Sequence, residues 1–98
     1  MTRIITLTVN DLPVEIDYFV QGFIEHTVSG MISSLEGTGE IKTLNISIEE
    51  EGVSIILNNS IIPVNPFVSK IVRGTIAGLA SSLKGVREVN KLNLNIRK

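Results

Sequence analysis

Few residues in this chain can do chemistry, and their spacing assembles no recognisable site. His26 is the sole histidine and there is no cysteine, so nothing stands by to complete a metal shell or activate a nucleophile. Glu49-Glu50-Glu51 puts three carboxylates in a row. Neighbouring residues of a strand and turn point apart, so the run reads as a solvated turn rather than a cation site. Tyr18 stands alone beside a helix start, and neither a phosphate-cradling glycine loop nor a serine–histidine spacing occurs. No catalytic residue, metal ligand or cofactor is assigned. The chain reads as non-enzymatic, with carboxylate or lysine chemistry the one route left open.

What the sequence does concentrate is neutral hydrogen-bonding side chains on strands. Thr6, Thr8, Asn10, Asn45, Ser47, Ser54, Asn58, Asn93 and Asn95 alternate with apolar residues. They form a polar sheet face with almost no Lys or Glu, interrupted by Ile56. A bare solvent face carries more charge than this. Hydroxyls and amides suit either a partner's surface or a small polar ligand. Thr8, Asn10, Asn45, Ile56, Asn58 and Asn93 are the candidate ligand-contacting residues.

The elements that must position these residues come from an internal repeat. Shifted by 48 positions, the 98-residue chain matches itself without a gap at 13 of the 45 pairs from Ile4/Gly52 to Ile48/Ile96. Roughly three or four matches would arise by chance. Asp17 and Asn65 fall at equivalent helix N-caps, Pro66 at a first helical position, and Gly37 and Gly85 where a helix would end. Val20, Ile24, Val28, Met31 and Leu35 have helical spacing, mirrored by Val68, Val72, Ile76, Leu79 and Leu83. Leu7/Val9, Leu44/Ile46/Ile48, Val53/Ile55/Leu57 and Leu92/Leu94/Ile96 alternate as strands do, and Glu50-Glu51-Gly52 forces a hairpin.

The chain therefore reads as one α+β domain, 1–98, a tandem duplication with repeats 1–49 and 50–98. Each unit is βαβ, closing into a ferredoxin-like sandwich with two antiparallel helices on one face of an antiparallel sheet. A ββαβ unit remains open, because Asn10-Asp11 and Asn58-Asn59 suit hairpin turns. Leu12/Val14/Ile16 and Ser60/Ile62/Val64 would then form short arms that Pro13 and Pro63 confine to sheet edges. The apolar character of these arms suggests an interface.

Two further expectations concern the helices. His26, Gly30 and Ser33 share a side of the first helix, as Gly74, Gly78 and Ser81 do on the second. Close approach of the helices at Gly30 and Gly78 is the expected reason for glycine there, which would make Gly78→Leu an overpacking change and pack His26 near Ser81 and Ser82. Residues 1–49 carry a net charge of −5 and residues 50–98 one of +4. A crossing at those glycines would set Glu25 beside Lys84 and Glu36 beside Arg73.

Bulk properties bound the partners. At 43% hydrophobic, 19% charged and net −1, the composition is that of a folded soluble domain. The charge balance and the lack of stacking aromatics on the sheet argue against nucleic acid. The longest uncharged stretch of the second helix, 74–83, is about half a membrane span. The N-terminus runs straight into strand-like residues without a signal pattern, so a cytoplasmic location is expected. Two functional readings remain: a self-associating module, dimeric or higher, and a small-ligand-binding module with its pocket on the polar sheet face or at the oligomer interface.

Overall fold

Hairpin chemistry explains the first departure from four strands. In the computed structural model, which describes residues 4–36 and 40–98, Asn10, Asp11, Asn58 and Asn59 all have positive φ, between 49° and 69°. Two consecutive residues in that region make the two-residue turn whose twist suits a hairpin, and Asn and Asp tolerate it better than other side chains. Each turn folds a short arm back on the strand before it. The elements are β1 (Ile4–Val9), β2 (Leu12–Pro13), α1 (Tyr18–Glu36), β3 (Thr43–Glu49), β4 (Gly52–Leu57), β5 (Ser60–Ile62), α2 (Pro66–Ser81) and β6 (Leu92–Arg97). Each half of the chain is thus ββαβ.

The six strands form one sheet in the order β2-β1-β6-β3-β4-β5, with every neighbouring pair antiparallel. Its pairing pattern is unchanged by the 48-residue shift. Leu7↔Leu94 in β1–β6 corresponds to Ile55↔Ile46 in β4–β3, and Thr8↔Pro13 to Ile56↔Ile61. The pair Ile46↔Leu94, at the centre of β3–β6, maps onto itself. This order corrects the ferredoxin-like expectation. A ferredoxin-like sheet centres the first strand of each unit, whereas here the last strands, β3 and β6, lie in the middle. Both orders produce the same alternation of residues, so the alternation cannot separate them.

Both helices lie on the apolar face of the sheet. Their starts are fixed as the caps dictate: the Asp17 carboxylate accepts from the Val20 amide at 2.8 Å, and the Asn65 side chain from the Val68 amide at 2.8 Å. The second helix stops at Ser81, four residues before Gly85, in a tightened turn where the Ser81 and Ser82 hydroxyls donate to the Gly78 carbonyl. Such back-bonding competes with the helix ladder and helps end it early. Gly37, the expected end of the first helix, lies outside the described residues.

The helices run across the strands in opposite senses. Asn65 and Ser69, at the start of α2, share a groove with Gly52 and Val53 of β4. Arg73 donates to the Glu49 carbonyl at the end of β3. Leu79 and Ala80 lie over Leu7 and Leu94. Meanwhile α1 passes the end of β6, where Glu25 meets the Lys98 ammonium at 3.3 Å. Beneath the helices, Leu7, Val9, Leu44, Ile46, Ile48, Ile55, Leu92, Leu94 and Ile96 form one core with Ile24, Val28, Ile32, Val72, Ile76 and Ala80. The molecule is a plate of 35 × 34 × 18 Å.

Three expectations about the helices are corrected here. Among the described residues an added Cβ at Gly30, Gly74 or Gly78 would meet nothing within 4 Å, so these glycines are not a crossing point and the overpacking expected of Gly78→Leu has no basis there. His26 is exposed rather than packed against Ser81 and Ser82. Glu25 pairs with Lys98 and not with Lys84, and the Arg73 guanidinium goes to a backbone carbonyl. The Glu36 side chain lies outside the described residues. The arms, too, fold mostly onto their own core. Ile62 is buried and Val14, Ile16 and Val64 are half-buried against it, leaving Leu12 and Ile61 outside.

Candidate functional site

Alternation places four of the six candidate residues on the open face of the sheet. Thr8 stands opposite Asn93, Asn93 opposite Ser47, and Asn45 opposite Ile56. At the centre, three side chains satisfy one another: Asn45 donates to the Asn93 carbonyl oxygen at 3.2 Å, Asn93 to the Ser47 hydroxyl at 2.9 Å, and Ser47 to the Asn45 carbonyl oxygen at 3.2 Å. A ligand would have to compete with this closed ring. Beside it, a shallow hollow of about 170 Å³ is lined by Thr43, Asn45, Ile56, Asn59, Asn95 and Arg97.

Asn10 and Asn58 are separated from that group and committed elsewhere. The Asn10 side-chain oxygen accepts from the Asn90 and Lys91 amides, each at 2.9 Å, while its amide donates to the Glu88 carbonyl at 2.8 Å. The Asn58 oxygen accepts from the Lys42 and Thr43 amides at 2.8 and 3.0 Å, and its amide donates to the Glu40 carbonyl at 2.9 Å. Each asparagine of one half thus holds the loop entering the last strand of the other half. Nearby, Asp11 meets the Lys91 ammonium at 3.2 Å and, by hydrogen bond and charge, raises the Lys91 pKa. The pair is exposed and contributes little to stability.

The outer face of the helix layer is the surface that sequence reasoning passed over. Phe19 is 74% exposed, Phe23 55%, Phe67 70% and Ile71 46%. Phe19 and Phe23 continue directly into His26, Gly30 and Ser33 at helical spacing. Phe67 and Ile71 continue into Gly74, Gly78 and Ser81. Each helix therefore shows outward a bulky apolar half and a small-residue half, with no charged residue on either stripe. The Phe19 and Phe23 rings lie 6.2 Å apart, within reach of a favourable aromatic pair. The signal was available in the identity Phe19/Phe67 and in the i, i+4 spacing to Phe23 and Ile71. It was masked by the adjacent Val20/Ile24 stripe, which accounts for the core on its own.

The sheet edges are poor docking points. The outer strands have two and three residues, with Pro13 on one and Pro63 just past the other, and proline removes the ladder donor. Among the described residues no group of three potential metal ligands occurs, and no helix is long and apolar enough to cross a membrane. Neither a protein-family model, nor a curated protein, nor a solved structure matches the chain, so residues and geometry alone carry the functional reading.

Proposed function

We propose that this protein is a non-enzymatic self-association module, a tandem duplication of a ββαβ unit that works as a homodimer or higher oligomer. The observation that carries the reading is the exposed apolar surface of the helix layer. Four large apolar side chains there, three of them Phe, are between 46% and 74% accessible. Apolar patches of that kind mark interaction surfaces rather than ordinary solvent faces. Duplication is supported by the 48-residue shift, under which strand pairing, helix caps and the asparagine loop contacts all correspond. Association that stabilises the fold makes unfolding depend on protein concentration. The thermal midpoint is expected to rise by several degrees between low and high micromolar protein. A midpoint independent of concentration would count against the proposal.

A second reading, a small polar ligand on the sheet face, is favoured by the hollow beside Asn45 and Ile56. Thr8 and Asn93 are the neighbouring candidate contacts on that face, while the other two candidates, Asn10 and Asn58, would act only by holding its loops. A thermal-shift screen against small polar metabolites tests it. A hit abolished by Asn45→Ala but not by Phe23→Ser would move the assignment to the sheet.

A further inference from the structure

Glycine within a helix costs roughly 1 kcal/mol relative to alanine, so an exposed one calls for a reason. Gly30 and Gly74 lie mid-helix and Gly78 in the last turn of α2; all three face outward and have nothing among the described residues within 4 Å of an added Cβ. Nothing among the described residues needs their smallness. Only a body approaching from outside the helix layer would.

The same face offers matching projections. Because α1 and α2 run in opposite senses, the Phe19/Phe23 half of α1 lies beside the Gly78/Ser81 half of α2, and Phe67/Ile71 beside Gly30/Ser33. Projections and notches therefore sit at alternate corners of one surface. A surface of that pattern is complementary to itself under a twofold rotation, as an isologous dimer requires. The area is adequate as well. A large aromatic side chain carries roughly 150–250 Å², so at their exposures these four side chains alone offer on the order of 500 Å² per copy. With the stripe around them this approaches the ~800 Å² per partner of a stable interface.

Two twofold arrangements seat the aromatics on the glycines, one with α1 on the partner's α1 and one with α1 on the partner's α2. Charge separates them. From 18 to 36 the chain carries Glu25 and Glu36 and no Lys or Arg; from 66 to 81 it carries Lys70 and Arg73 and no acid. The first arrangement sets the helix bearing Lys70 and Arg73 against its own copy, like charge on like, and the second sets it against a helix with no Lys or Arg. We infer that a second copy of this chain docks on the helix face, α1 antiparallel to the partner's α2, with Phe19 and Phe23 of each copy seated over Gly78 and Gly74 of the other. This rests on the self-association reading and names its face and its partner.

The test is sedimentation equilibrium of the full chain and four variants, with circular dichroism as a check of folding. Phe23→Glu and Gly78→Leu are each expected to raise the dimer dissociation constant at least tenfold. Gly78→Leu covers the case in which Phe23→Glu fails to fold, since its side chain enters open space in the single chain. Ile61→Glu, on the sheet side and 78% exposed in the native residue, should leave the constant unchanged. Lys70→Glu should weaken the dimer at low salt and do so less at 1 M salt. Strengthening by Lys70→Glu would overturn the α1-on-α2 arrangement. A dimer indifferent to Phe23→Glu and Gly78→Leu but broken by Ile61→Glu would overturn the helix face while self-association stands. A monomeric native chain would overturn both.

Discussion

Replacing Ile46 with alanine is expected to cost about 2–5 kcal/mol of unfolding free energy, among the largest losses any single truncation in this fold produces. Ile46 is fully buried at the centre of β3 and pairs with Leu94 of β6, itself 1% exposed. The two occupy the point about which the strand pairing is symmetric, under both helices. A cavity there cannot be filled from solvent, and close packing around it limits collapse. Leu94→Ala should cost a comparable amount, and the double variant less than the two together, because the residues share one space. Denaturant titration at fixed protein concentration measures this. A loss below about 1 kcal/mol for either would mean that the centre of the sheet is not the centre of the core.

The second large effect is expected at a surface turn. Asn10→Ala removes three hydrogen bonds to the Glu88–Lys91 loop and leaves alanine at φ 53°. At about 1 kcal/mol for each bond, with about 1 kcal/mol for the left-handed backbone, the loss should be about 2–4 kcal/mol. Asn10→Gly keeps the backbone comfortable and loses only the bonds, so the difference between the variants isolates the strain. Asn58→Ala should behave in the same way through the Glu40–Thr43 loop. Losses near those of ordinary exposed substitutions, within about 0.5 kcal/mol, would show that the loops hold without the asparagines.

These two sites also show what the sequence made legible. The strand alternation, both helix caps and the hairpin character of Asn10-Asp11 and Asn58-Asn59 rest on neighbours within a few residues, and all appear where the pattern puts them. The contacts of Asn10 and Asn58 reach residues some 80 and 16 positions away. No local pattern distinguishes such a side chain from one lining a sheet face. Helical periodicity had a similar limit. It places Gly30 and Gly78 on the small-residue stripes of their two helices but cannot say whether those stripes face each other or solvent. Two apolar stripes compete on each helix, Val20/Ile24/Val28 and Phe19/Phe23, and core burial is satisfied by the first. The Glu25–Lys84 pair depended on that crossing, and Glu25 is found with Lys98 instead. Strand order was illegible for a further reason, since both central pairings bury the same residues.

The expected sheet-face candidates divide along the same line. Thr8, Asn45, Ile56 and Asn93 share the open face because alternation alone sets it. Asn45 and Asn93 are there engaged with Ser47, so the neutral amides have an internal use as well as any external one. The uncharged surface without an internal use is on the helices.

A folded chain that associates with its own copies shows it in light scattering on the native protein across the micromolar range. A single chain weighs 10.7 kDa. A mass of about 21 kDa or more is expected, falling toward the single-chain value on dilution. A constant mass equal to one chain throughout that range would contradict it.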